Sequence, residues 1–257
     1  MAAGLLKIRK RHTLTNDNLL GYDSAHRTFS DGESLTLDTN YRRAHLPLVN
    51  PLHPDVIAFD EGYREGSYEA TRYSLVLPVS DKRLRQTATF IAVEHALLAA
   101  SFSGKVAWEL LDKRKNLLHA TISSGLGQDG LESLTSPLQT FMMTNPVRKY
   151  RLGGLFMGPV NTGRLYFKVY PEVSADGHVF GEIQSLLRLK KTQSFLVGYY
   201  NFTDHLNLHE TQEMADILER FRHETLWEDE LSELWLLSTH DDLVLSGKIV
   251  HTISKHV

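Results

Sequence analysis

The chain contains no cysteine, which excludes disulfide bonds, thiolate metal ligands and a cysteine nucleophile. Its apolar runs are all far shorter than a membrane span, and the apolar stretch at the N-terminus is too short for the core of a signal peptide. We therefore expect a cytoplasmic protein that does not associate with a membrane.

Positive and negative side chains nearly balance. The chain has 28 lysines and arginines and 31 aspartates and glutamates, so its formal net charge is only −3. This value argues against a generally basic nucleic-acid coat protein, although a small basic cleft is still compatible with it, since local fields depend on arrangement. The 257 residues, 42% apolar and 23% charged, are ordinary for a globular protein. This length allows one large domain or two modest ones.

Residues 1–70 show no sustained hydrophobic periodicity and are rich in turn-forming sequences such as TNDN and SDGES. We interpret them as an irregular N-terminal extension. Regular patterns begin after residue 70 and continue to the end of the chain. Residues 71–257 are therefore predicted to form the main body.

Strand and helix patterns alternate through this main body. The apolar run 73–79 predicts a strand that ends near Pro78, because proline cannot donate to a sheet ladder. Ser80 or Asp81 can cap the helix that follows. Residues 106–111 and 117–122 most simply form a hairpin. The remaining predictions are helices over 81–102, 131–143, 178–191 and 209–224, and strands or extended segments over 150–160, 164–173, 193–208, 233–239 and 247–255.

Each half of the main body runs strand, helix, histidine-bearing strand, helix. We predict an α+β fold with two pseudo-symmetric lobes, over about 71–148 and 149–257, each with an antiparallel sheet and helices on its outer face. A pseudo-two-fold axis between such lobes would bring the two histidines face to face across a groove.

Those histidines belong to two short motifs, HATI at 119–122 and HLNL at 205–208. Side chains two residues apart on a strand share a face. His119 with Thr121, and His205 with Asn207, would each present an imidazole and a hydrogen-bonding group to one cleft.

Two imidazoles on either side of a phosphodiester suit general acid–base catalysis. One ring can take a proton from water or a ribose hydroxyl, and the other can protonate the leaving oxygen. Thr121 and Asn207 can bind the non-bridging oxygens and stabilise the developing charge. Such a reaction requires no metal or other cofactor.

At these motifs the chain resembles the two-histidine phosphoesterases, which include the bacterial LigT-type RNA 2′,3′-cyclic phosphodiesterases. That family has a bilobal α+β fold with one His-x-Thr/Ser-apolar motif in each lobe. The resemblance covers about residues 71–257 and implies metal-independent hydrolysis of a 2′,3′-cyclic phosphate, or a related phosphodiester, at an RNA end or on a nucleotide. His119 and His205 would be catalytic. No obligate protein partner is implied, and we expect a monomer.

The second motif departs from the family pattern, because Asn207 stands where threonine or serine is usual. The chain is therefore also compatible with a non-catalytic nucleotide- or RNA-binding protein of the same fold. Tyr199, just before this motif, could stack on a base. A third hypothesis is a metal-dependent hydrolase that uses His205, His209 and a carboxylate.

Overall fold

The computed structural model describes residues 13–175 and 177–255. The fold mixes helices with a mostly antiparallel sheet. The strands are β1 (Phe59–Asp60), β2 (Tyr63–Arg64), β3 (Ser67–Pro78), β4 (His119–Leu126), β5 (Lys149–Phe156), β6 (Arg164–Pro171), β7 (Val173–Ser174), β8 (Gly177–His178), β9 (Leu196–Asn201), β10 (Thr225–Glu230), β11 (Glu233–Asp241) and β12 (Lys248–Ser254).

Helices connect these strands. They are α1 (Tyr22–Ala25), α2 (Thr39–Ala44), α3 (Leu46–Val49), α4 (Asp81–Leu84), α5 (Ala88–Ala99), α6 (Glu109–Arg114), α7 (Leu131–Thr144), α8 (Val179–Leu186) and α9 (Leu208–Phe221). Among the residues that the structure describes, no helix combines the length and the apolar character needed to cross a bilayer.

One large sheet has the strand order β1-β2-β3-β4-β9-β6-β5-β10, and β11 joins β3 to β12. Its centre is narrow, because β4 and β9 are paired only through Ala120 and Val197. The sheet is strongly curved. Strand β10 is at one end of the strand order, whereas β11 lies beside β3 at the other side, and only residues 231–232 connect β10 to β11.

The main core lies on one face of the sheet, where Leu75 and Leu77 of β3 point. The intervening Val76 belongs to a separate apolar cluster with Leu237 and Val244, so the loop 242–247 covers the opposite face. This second face is the one on which the first histidine motif lies.

The N-terminal segment is more ordered than its turn-rich sequence indicates. It contains α1, α2 and α3, and its side chains Leu35, Leu37 and Tyr41 are fully buried in the main core. Asp38 caps α2 by accepting a hydrogen bond from Tyr41 N. Residues 1–12 of the predicted extension lie outside the described part of the chain.

The predicted hairpin over residues 106–122 is wrong in its first half, where α6 forms instead. Leu110, Leu111 and Arg114 are buried, and this spacing fits one face of a helix better than a strand. The predicted long helix over 81–102 is interrupted, because Thr87 begins a new helix by capping Phe90 N. Ser80 caps α4, as predicted.

Candidate functional site

The first motif lies on β4 with its histidine and threonine on one face of the sheet. His119 is opposite Pro78, and Thr121 is opposite Val76 on β3. Ala120 points into the main core. His119 and Thr121 therefore share the face that the loop 242–247 covers.

The His119 ring has a fixed tautomer. Nδ1 lies 2.7 Å from the carbonyl oxygen of Leu117, which can only accept, so Nδ1 carries the proton and Nε2 has a free lone pair. The pKa of His119 is lowered to about 4, mainly by burial, with the Leu117 hydrogen bond opposing the shift and the charges of Arg114 and Arg164 adding to it. The ring is therefore neutral near neutral pH, with Nε2 able to accept a proton.

The second histidine does not lie on a strand. His205 lies in the connection from β9 to α9, four residues beyond Asn201. Its Nδ1 accepts a hydrogen bond from Leu37 N at 2.9 Å, and its Nε2 lies 2.6 Å from Oδ2 of Asp55. The ring is thus held as the Nε2–H tautomer, with both nitrogens engaged by the N-terminal segment.

Asn207 is the N-cap of α9 and not a strand residue. Its side chain accepts from Glu210 N at 3.0 Å, and Asn207 N donates to Oε2 of Glu210 at 2.8 Å. This is a capping box, which the sequence NLHE could have indicated. The prediction that His205 and Asn207 share one strand face is therefore wrong.

Tyr199 is 1% exposed and belongs to the main core. Its ring packs edge-on against Phe90 and Phe167, and its hydroxyl donates to Oδ1 of Asp81 at 2.8 Å. A base cannot reach this ring, so the suggested stacking role does not fit the structure.

The two predicted histidines have different hydrogen-bonding environments. Because Val197 is opposite Ala120, the β9 residues beside the first motif are Leu196 and Gly198. Among the described residues, the hydrogen-bond partners of His119 and those of His205 have no member in common.

A possible metal cluster lies at His205. One nitrogen or oxygen atom from each of His53, Asp204 and His205 lies within 4.8 Å of the others, and His209 is not part of this group. However, Nδ1 of each ring accepts from a backbone N–H, from Asp55 N for His53 and from Leu37 N for His205. Both rings therefore carry their proton on Nε2, the atom that faces a carboxylate. Because a protonated nitrogen has no lone pair for a metal ion, these side chains do not fit a metal site in this conformation.

A basic groove that neither histidine motif predicts lies beside Thr121. It has a volume of about 300 Å³ and no acidic residue in its lining. The hydroxyls of Thr121 and Ser123 have no hydrogen-bond partner among the described residues. Lys190 and Lys191 lie in the loop after α8, although the sequence places them at the end of the predicted helix 178–191. The lining comprises Thr121, Ser123, Ser124, Lys190, Lys191, Thr192 and Ser194.

A larger cleft of about 480 Å³ begins at Pro78, the residue opposite His119. Trp227 and Trp235 line it, together with four carboxylates and three cations, which are Asp81, Asp229, Glu230, Glu233, Lys82, Arg83 and Lys115. Those carboxylates disfavour an anionic ligand, so this cleft is a poorer phosphate site than the basic groove.

No protein-family model matches the chain, and no curated protein matches it.

Proposed function

We propose that the protein binds a phosphate ester, as carried by a nucleotide or an RNA end, in the basic groove beside Thr121. The proposal rests on one observation: two hydroxyls without a protein partner and two lysines line the same open groove. Hydroxyls donate to phosphate oxygens, and lysine ammonium groups supply the opposing charge.

The charge balance of the groove supports an anionic ligand. Within the described ranges, neither Lys190 nor Lys191 forms an ion pair, and no carboxylate lines the groove. Its volume of about 300 Å³ is enough for a phosphate group with part of its ester. We assign the phosphate to the lysines and to the hydroxyls of Thr121 and Ser123.

The strand pairing around the narrow centre of the sheet supports two related lobes. Leu77 pairs with Ala120 on one side, and Phe167 pairs with Val197 on the other. If β9 of the second lobe corresponds to β4 of the first, Val197 corresponds to Ala120. Leu196 then takes the position of His119, and Gly198 takes that of Thr121. The second lobe then has no imidazole opposite the first, which favours binding over two-histidine cleavage.

A second candidate function is hydrolysis of a 2′,3′-cyclic phosphate. The free Nε2 of His119 favours it, because this atom can take a proton from an attacking water. Protonation of the leaving oxygen would require His205 to leave Asp55. Each such proton transfer is typically worth about 10²–10⁴-fold in rate.

Titration calorimetry with nucleoside 2′,3′-cyclic phosphates, nucleoside monophosphates and 3′-phosphorylated RNA oligomers tests the proposal. We expect saturable binding, weakened at least about tenfold by Lys190→Ala/Lys191→Ala. The variant Lys113→Ala/Lys248→Ala removes two exposed lysines elsewhere and should bind as the parent does. Equal binding by the parent and the groove variant, or no binding of any ester, contradicts the proposal.

Chromatography of the same mixtures, with chelator present, separates the two candidates. Ligand recovered intact supports a binding protein. Turnover of cyclic phosphate that is lost in His119→Ala supports the hydrolase.

A further inference from the structure

Two buried arginines converge on Gly198, the β9 residue beside His119. Arg114 donates from Nη2 to the carbonyl oxygen of Gly198 at 2.9 Å and from Nη1 to that of Tyr199 at 3.2 Å. A Cβ on Gly198 would lie 2.2 Å from Cζ of Arg164. Glycine is needed here because the Arg164 guanidinium lies directly against the backbone.

Neither arginine is in contact with a carboxylate of a described residue, although the charge of the buried Asp241 acts on Arg114 and raises its pKa. Arg114 is 5% exposed and Arg164 is 8% exposed, and within the described part of the chain neither takes part in an ion pair. Buried charges are normally paired, since desolvation of an isolated charge is costly. Burial lowers the pKa of Arg114 to about 9, and the nearby charge of Arg164 adds to the shift.

Backbone carbonyls occupy part of the hydrogen-bonding capacity of both groups. Arg164 Nη1 donates to the carbonyl oxygen of Asp242 at 3.2 Å, and Arg114 Nε donates to that of Leu243 at 2.7 Å. Arg164 Nε is buried and has no partner. The two cations are therefore incompletely satisfied, and one unused donor lies within the cluster.

The carbonyls belong to the loop 242–247, whose side chains Leu243 and Val244 are buried in two apolar clusters. The Asp241 carboxylate accepts from Leu245 N at 2.9 Å and from Ser246 N at 3.0 Å. Val244 has a φ of 59°, which is strained for a β-branched residue. The strain lies in the same loop that contacts the arginines.

We propose that Arg114 and Arg164 form a second anion site beside His119, for a phosphate group, which the carbonyls of Asp242 and Leu243 cover in this conformation. Planar guanidinium groups match phosphate oxygens and are the preferred cations for buried phosphate recognition. This site goes beyond the proposed function, because it can bind a phosphate whether or not the lysine groove binds an ester.

Thermal unfolding of the full-length protein with and without inorganic phosphate tests the site. A ligand that binds only the folded state raises Tm, so we expect phosphate to raise the Tm of the parent by a few degrees. We expect Arg164→Met to lose this rise. Its Tm without phosphate should equal or exceed that of the parent, because an unpaired buried charge has been removed.

Arg148→Gln is the matched control. Arg148 pairs with Glu172 and Glu182, so its loss should lower the Tm and leave the phosphate-induced rise intact. A rise that survives in Arg164→Met, or a parent whose Tm does not respond to phosphate, overturns the second site.

The groove variant Lys190→Ala/Lys191→Ala separates the two proposals. If it keeps the phosphate-induced rise but loses nucleotide binding, both sites stand. If inorganic phosphate raises the Tm but no ester binds to the parent, only the groove proposal fails.

Discussion

Nε2 of His205 donates its proton to Oδ2 of Asp55 across 2.6 Å, and this bond joins the N-terminal segment to the connection before α9. Leu37 N binds the other ring nitrogen. A histidine that the sequence suggests for proton transfer is thus engaged on both sides by structural contacts.

We predict that Asp55→Asn destabilises the protein near neutral pH but much less in acid. The hydrogen bond from His205 lowers the pKa of Asp55 below its ordinary value of 3.8. A lowered carboxyl pKa stabilises the fold above that value and loses this effect as the pH falls through the folded-state pKa. Urea unfolding of both proteins at several pH values measures the difference. Asp31→Asn, at an exposed aspartate, is the control, and a pH-independent difference would contradict the assignment.

His119 makes the stability depend on pH in a higher range. Its pKa of about 4 in the folded protein lies below the ordinary 6.5, so the unfolded chain takes up the proton first as the pH falls. The free energy of unfolding should therefore decrease between about pH 6.5 and pH 4, by on the order of 3 kcal/mol at most.

The variant His119→Asn removes that titration and keeps a donor for the Leu117 carbonyl. Between the two pH limits, its stability should fall less than that of the parent, as measured by urea unfolding. His209→Asn, at an exposed histidine, should follow the parent. Identical pH profiles for the parent and His119→Asn would show that the ring does not have the assigned pKa.

Asn207 should behave as a helix cap. We expect Asn207→Ala to lower the free energy of unfolding by about 1 kcal/mol, because Glu210 N loses its acceptor. Asn207→Asp retains the acceptor and should be nearly as stable as the parent. Both variants should bind phosphate esters like the parent. If both lost binding while remaining folded, Asn207 would have to contact the ligand.

Gly198→Ala tests the packing of the buried arginines. The new Cβ would overlap the Arg164 guanidinium, which has little room to move because it is 8% exposed. We expect a lower Tm and loss of the phosphate-induced rise. Gly104→Ala, where a Cβ meets nothing within 4 Å, is the control that should keep both. An unchanged phosphate response in Gly198→Ala would mean that Arg164 does not contact the anion.

Local patterns predict much of this fold. Alternation and turn chemistry place β5, β6, β11 and β12 close to their observed bounds, and helical periodicity places α7 and α9. The first half of β4 is also predicted, because its apolar residues Ala120 and Ile122 alternate with polar ones, whereas its continuation from 123 to 126 is not.

The failures arise where tertiary contacts override local patterns. Extended character continues past Asn201 in the sequence, but the Asn207 cap starts a helix and leaves His205 in a connection. The buried arginines were also beyond prediction, because they meet at Gly198 only after α6, β6 and β9 have packed together.

The narrow centre of the sheet limits how strongly the unfolding of one group of strands is coupled to that of the other. A single residue pair transmits little of the coupling between the two groups of strands. Aromatic packing adds to that coupling, since Phe90 of α5 contacts both Phe167 and Tyr199 in the other group. Phe90→Ala should therefore weaken the coupling between the two groups of strands as well as create a cavity. It should let one group of strands exchange its amide hydrogens while the other stays protected, so that a single unfolding transition becomes two.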